Sequence, residues 1–206
     1  MKKSVITIIP GTAEPVFDLT TVEAVNAELN LTSGTANDAA VAAQITSCSR
    51  IIADLCGRVF ALQTVTETFR PHWKDHIQSL ILARYPVVGD VSLTVNARAY
   101  DDSYYSLDPD DGILNYIHGH WHGVIAVTYT GGYDLPDDAP AGLARACVEI
   151  IREQRSSVGR NPGIRSVMAG ENRVDFFDAR TASGSMGGAV SPNVEGLISP
   201  FRRLAV

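Results

Sequence analysis

Three histidines at alternate positions, in the run His118-Gly119-His120-Trp121-His122, are the residues whose types and spacing come closest to chemistry. On an extended strand, residues i, i+2 and i+4 share one face, so three imidazoles would converge on a zinc ion and leave a coordination position for water. That arrangement would make a small metal-dependent enzyme or a metal-binding module. A catalytic zinc also needs second-shell carboxylates and a shaped pocket, and Gly119 and Gly123 point to a turn instead of a continuous strand. The cluster reads as a polar hairpin tip, with a metal site at His118, His120 and His122 as the alternative.

Other chemistry is thinner. Asp101-Asp102 and the run Asp108-Pro109-Asp110-Asp111-Gly112 offer paired carboxylates, but Pro and Gly make the second a turn, and the closing Glu of a calcium loop is missing. Gly131-Gly132 and the glycines between 184 and 188 lack the following Lys-Ser/Thr of a phosphate-cradling loop. No G-x-S-x-G elbow occurs and the scattered Ser, His and Asp define no triad, so we assign no catalytic residue and no cofactor.

The elements that would position such residues change character along the chain. Val5 to Ile9 is β-branched, but Pro10 and Pro15 interrupt it, which makes the first 19 residues an arm. Thr20-Thr21-Val22-Glu23 is a capping box opening a short helix over about 20–30. Val41, Ile45, Cys48, Ile52 and Leu55 then form an apolar stripe at helical spacing, predicting a helix over about 38–57 capped at Asn37 or Asp38 and stopped by Gly57. Its other face is mainly Ala, Ser, Thr and Gln. Such a face packs closely against a neighbouring copy, and Ala39, Ala43 and Ser47 are the residues expected there.

From about 60 to 132 the period falls to two. Val65, Glu67 and Phe69 alternate with threonines, and similar runs predict five or six short, mostly antiparallel strands, the last from Val124 to Thr130. Gly131-Gly132 and a Pro/Asp-rich turn end that strand, and a third helix opens near Pro140 and spans about 139–156, with an Arg145–Glu149 pair on its surface. The segment 159–206 is rich in Gly and Ser, holds one strand-like piece, Arg173 to Phe177, and has too few apolar residues to fold alone. The fold class is therefore α+β: a small helical bundle body with an inserted antiparallel β-sheet region and extended N- and C-terminal arms, one body over 1–158 and a docking tail over 159–206.

At 206 residues and 22.1 kDa, with 45% hydrophobic and 19% charged residues, the chain has enough apolar material for a substantial core. No unbroken apolar run approaches the length of a membrane span, and residues 1–10 do not form a signal peptide, so no membrane is expected. Cys48, Cys56 and Cys147 are odd in number, fall in helical segments, and read as small buried hydrophobes. A net charge of −6 argues against gripping nucleic acid along a basic surface. It suits a wall past which DNA slides, because each neutralised phosphate would add salt-sensitive affinity.

In their order and spacing these segments resemble the head-tail connector proteins of tailed bacteriophages, the adaptor or head-completion family in its longer form. The resemblance rests on Ile6-Thr7, Glu14-Pro15-Val16 and Thr21-Val22-Glu23-Ala24; on Cys56-Gly57-Arg58 and Thr64 to Phe69; on Leu82 to Val88 and Tyr105 to Asp108; and on Val127 to Tyr133, Leu135 to Asp138 and Leu197 to Arg203. It extends over nearly the whole chain.

The resemblance implies a non-enzymatic virion protein of the neck, made in the host cytoplasm during assembly. Identical subunits, commonly twelve, would form a ring docked on the portal protein, meeting a stopper or tail-completion protein on the other side. Genomic DNA would pass through without sequence-specific binding. The C-terminal segment would reach the portal, with Val174, Phe176, Leu197, Pro200, Phe201, Arg202 and Arg203 as the docking residues. Departures from the family pattern occur at His118 to His122 and in the charged loop Pro71 to Gln78.

Overall fold

The structure is a computed structural model that describes residues 4–11, 14–72, 74, 76–157 and 190–203, together with the backbone of 166–169 and 172–175. The chain divides into two compact units, one of residues 1–17, 57–138 and 204–206, the other of residues 18–56 and 139–203. The fold class is α+β, as the periodicities predict.

The first unit is built from strands. β1 (Val5–Ile8), β2 (Gln63–Phe69), β4 (Val87–Val95), β5 (Arg98–Tyr100) and β8 (Ile125–Gly131) form a five-stranded sheet in the order β1-β2-β8-β4-β5. β3 (Ser79–Ile81), β6 (Tyr105–Asp108) and β7 (Ile113–Tyr116) form a second sheet in the order β3-β7-β6, and every strand pairing in both is antiparallel. Val65, Phe69, Leu93, Ile125, Val127 and Tyr129 from the larger sheet and Leu80, Tyr105 and Leu114 from the smaller one bury together in a single core, which Trp121 completes. β2 shows how the alternation works: Gln63, Val65, Glu67 and Phe69 are buried while the threonines between them are half-buried. Those threonines form rungs with β8, Thr64 to Thr130 at 2.9 Å and Thr66 to Thr128 at 2.8 Å, pinning the register from the other face.

Glu67 is the exception on that apolar face, a carboxylate with no exposed surface. Its lone pairs are taken up by the amide of Ala83 at 2.8 Å, the hydroxyl of Tyr129 at 2.9 Å and the hydroxyl of Ser4. The Tyr129 oxygen in turn accepts from the amide of Arg84 at 3.1 Å, and burial, followed by the neighbouring Glu67 charge, raises the Tyr129 pKa. One side chain thereby links β2, β8, the segment after β3, and the residue preceding β1.

Gly131 and Gly132 end β8 for a steric reason. A Cβ on Gly131 would lie 2.5 Å from the carbonyl oxygen of Arg84, and one on Gly132 would lie 2.5 Å from that of Ala61, with Gly132 at φ +114° as well. The backbone here is sewn to two neighbouring segments, Gly132 N to Pro86 O at 2.9 Å and Tyr133 N to Phe60 O at 2.8 Å. Gly132→Ala combines backbone strain with a clash against main chain and is expected to destabilise this unit by about 2–3 kcal/mol. A thermal melt matching wild type would contradict that.

The second unit is helical. Thr21 caps α1 (Val22–Leu29), accepting from the amide of Ala24 at 3.2 Å, and Asn30 closes it in the left-handed conformation. α2 (Thr35–Cys56) starts two or three residues before the expected cap, because Asp38 reaches backward to the amide of Gly34 at 3.2 Å and to the side-chain amide of Asn26 at 2.9 Å. α3 (Ala141–Ser157) packs on α2, and α4 (Pro192–Ile198), followed by a 3-10 turn at Ser199–Phe201, packs on α3. Val41, Ile45, Cys48, Ile52 and Cys56 of α2, Leu143, Cys147 and Ile151 of α3, and Val194 and Ile198 of α4 are among the unit's buried apolar positions. All three cysteines are buried, and no disulfide joins them. By length and composition α2 could cross a membrane, but its large apolar side chains are the core of this unit.

α4 lies inside the stretch that sequence composition treats as an extended tail. Its local signals are orthodox: Ser191 caps the helix at Val194 N and Pro192 opens it. Upstream, β9 (Ser166–Ala169) and β10 (Asn172–Asp175) pair as an antiparallel hairpin.

Candidate assembly surfaces

The histidine run does not lie on a strand. β7 ends at Tyr116 and β8 begins at Ile125, and between them Gly119 at φ +135° and Gly123 at φ +82° break the alternation that convergence requires. The His118 ring meets Tyr104 and Tyr116, with centroids 5.7 and 6.2 Å apart, whereas the His120 ring meets His76. His122 bonds the carbonyl of His120 at 3.1 Å. Among the described residues no three His, Cys, Asp or Glu side chains come together as a metal-binding group, so a three-histidine centre is not what this segment forms.

The paired carboxylates are likewise occupied. Asp101 caps its own turn, its carboxyl held below the usual range by the Ser103 hydroxyl and amide. Asp102 accepts the Tyr105 hydroxyl at 2.6 Å, and burial together with that carboxylate pushes the Tyr105 pKa up to about 12. Asp108 accepts the amides of Asp110 and Asp111 at 3.2 and 3.4 Å, closing the turn before Gly112.

What the structure does present are surfaces. Opposite the buried stripe of α2, a strip of Ala36, Ala39, Ala40, Ala43 and Ser47 is exposed from one turn to the next, continued by Arg50 and Asp54. Small side chains let a second backbone approach closely and lose almost no rotamer entropy when covered. At the C-terminal end, Leu197 and Phe201 are half-buried, Pro200, Arg202 and Arg203 are exposed, and Val174 lies in β10. Phe176 lies outside the described residues. Leu197 and Phe201 sit over the start of α3, where a Cβ on Gly142 would come 3.1 Å from the Phe201 ring and 3.3 Å from the Leu197 carbonyl. Arg202 is paired with Glu195 at 3.1 Å, and the amide of Arg203 donates to Cys56 O at 2.8 Å.

A third surface escaped sequence reasoning. Among the described residues β1 is the outermost strand of its sheet and pairs with β2 alone, and Val5 and Ile8 on it are 64% and 54% exposed, as Val16 and Phe17 farther along the arm are about half exposed. An exposed strand edge carrying large apolar side chains is unusual for a surface that stays in water. The β-branched run from Val5 to Ile9 is the available signal, and the prolines that follow make it read as an arm.

The sequence model of the family described as "Head completion protein" matches residues 18–152, more than half of the chain. The chain belongs to the head completion protein family. Membership makes it a structural head-tail connector component of a phage-like particle. No curated protein matches it. Among solved structures it is similar to a chain in the neck of an empty gene transfer agent (GTA) particle computed with C6 symmetry, at 15% identity, covering 98% of this chain and 97% of that one, with a TM-score of 0.57. A chain in the neck of the native particle computed with C12 symmetry is similar at 14% identity, with coverage of 98% and 97% and a TM-score of 0.54. A chain of the native gene transfer agent virion matches at 15% identity, 98% and 96% coverage and a TM-score of 0.57. At such identities the likeness establishes a shared fold across almost the full length of both chains.

Proposed function

We propose that this head completion protein assembles into a homo-oligomeric ring in the neck of a tailed phage or phage-like particle, where it joins the portal of the head to the stopper or tail and lines the DNA path. The observation that carries the reading is the family match over residues 18–152, with full-length fold similarity to chains from particle necks computed with C6 and C12 symmetry. The role is mechanical, so no catalytic residue or cofactor enters it.

A cyclic ring requires each subunit to present two different patches, one complementary to the other on its neighbour. The small-residue strip of α2 at Ala39, Ala43 and Ser47 is the first patch, since it is exposed and sits on a helix whose other side is fixed in a core. The apolar edge and arm at Val5, Ile8, Val16 and Phe17 supply further surface for a neighbouring chain to cover. Portal docking is assigned to the C-terminal segment, Val174, Phe176, Leu197, Pro200, Phe201, Arg202 and Arg203, of which Arg202 and Arg203 place positive charge on an otherwise acidic protein. DNA passes a wall of net negative charge and is not retained.

The test is genetic. Particles made without this chain should yield DNA-packaged heads that carry no tails, and supplying the chain in trans should restore infectivity or transfer. Tailed, functional particles in its absence would exclude the connector role.

A further inference from the structure

All five histidines of the chain, His72, His76, His118, His120 and His122, fall in two loops of the β unit, 70–78 between β2 and β3 and 117–124 between β7 and β8. The loops are tied together by a backbone hydrogen bond, Trp121 N to Ile77 O at 2.7 Å, and the end of β7 holds the first loop through Tyr116 N to Gln78 O at 3.0 Å. Trp121, adjacent to His120, is 2% exposed and anchors its loop in the core. His76 adopts φ +46°, a left-handed conformation that non-glycine residues take up sparingly, and its exposed ring meets the exposed ring of His120 with centroids 5.1 Å apart at 73°.

We propose that His76 and His120 form a two-imidazole site for a divalent first-row transition-metal ion, zinc or copper. Nothing in the connector role requires this site, and the proposal stands apart from that role. Two imidazoles bound to one tetrahedral ion at metal–nitrogen distances near 2.0–2.1 Å have ring centroids about 5 Å apart, which is the separation found here. Each ring can turn about its Cβ–Cγ bond to present a nitrogen without moving either loop. The two ligands come from segments more than forty positions apart, so the ion would clamp one loop to the other. His118 is engaged with Tyr104 and Tyr116 and is not a ligand. Two protein ligands leave open positions, which water or a side chain of another chain fills.

Two consequences follow from metal chemistry. Affinity rises from zinc to copper, and magnesium, which prefers oxygen, does not bind. Protons compete for the imidazoles, so acidification weakens binding.

Untagged full-length protein titrated calorimetrically with ZnCl2, CuCl2 and MgCl2 tests the site. One zinc or copper ion per chain, copper tighter than zinc, and no magnesium is the expected result. His76→Ala and His120→Ala should each weaken binding at least tenfold, and His118→Ala should change it less than twofold. These residues are exposed, and a circular dichroism spectrum matching wild type confirms that each variant is folded. Failure of both zinc and copper to saturate, or an equal loss in His118→Ala, overturns the assignment. A His120→Gln variant that retains wild-type affinity would also overturn it.

Discussion

Ala43→Glu is expected to abolish ring assembly while leaving the monomer folded. Ala43 is exposed on the outer strip of α2, two residues from each of the buried Val41 and Ile45 that hold the helix in its core, so glutamate there meets only water in the monomer. In a helix of this length the substitution costs little intrinsic propensity. Covered by a neighbouring copy at close range, the same carboxylate is desolvated without a partner, a penalty of about 2–5 kcal/mol. Every interface in a closed ring repeats that penalty, and each 1.4 kcal/mol is about a tenfold loss in association. Sedimentation of the variant should show monomer at concentrations where wild type, with its portal, forms rings, and the melting temperature should stay within a degree or two of wild type. Unchanged assembly would remove α2 from the interface, and a large drop in melting temperature would mean that the strip belongs to the fold.

The second large effect is on stability. Glu67→Ala removes the acceptor for the Ala83 amide, the Tyr129 hydroxyl and the Ser4 hydroxyl in one step. Two of those donors are buried, at about 1–3 kcal/mol each when left unsatisfied, and the lost side chain leaves a void between the sheets. The expected loss is about 3–5 kcal/mol in the β unit, read as a fall in thermal midpoint and in the denaturant midpoint. Glu67→Gln keeps one acceptor and should recover part of that loss. If alanine melts like wild type, Glu67 is not the organising contact of the unit.

The sequence made these two sites unequally visible. The place of Glu67 on the apolar face of β2 is written in the alternation Val65, Glu67, Phe69, yet nothing local says that a carboxylate there will be satisfied by residues 16 and 62 positions away. The α2 strip was legible because helical period assigns both faces at once: of the stripe that spacing picks out, Val41, Ile45, Cys48 and Ile52 are buried and Leu55 is half-buried. α4 was hidden by the composition of the long Gly/Ser-rich segment around it, although the Ser191-Pro192 start is an ordinary helix opening. β5 is three residues long, and its hairpin turns at Asn96-Ala97, both at positive φ, without the glycine that usually announces such a turn. The histidine run was conspicuous for its spacing, but the ring that meets His120 belongs to His76 on another loop, a relation only the folded chain reveals.

Glycine behaves the same way. Gly131-Gly132 reads from sequence as the end of a strand, and that is where β8 stops, but the cause is tertiary: the carbonyls of Arg84 and Ala61 occupy the space a side chain would need. Gly142, the second residue of α3, looks like a poor helix former until Phe201 and Leu197 are seen against it. Such positions carry the packing that a family resemblance registers without explaining.

The most direct test of the central claim is cryo-electron microscopy of the purified protein mixed with the portal of the same particle. The account predicts a closed ring of identical subunits seated on the portal, coaxial with its channel, with the α2 strip at Ala39, Ala43 and Ser47 between adjacent copies. Portal particles without added density, or rings whose subunits meet with those three residues still facing solvent, would contradict it.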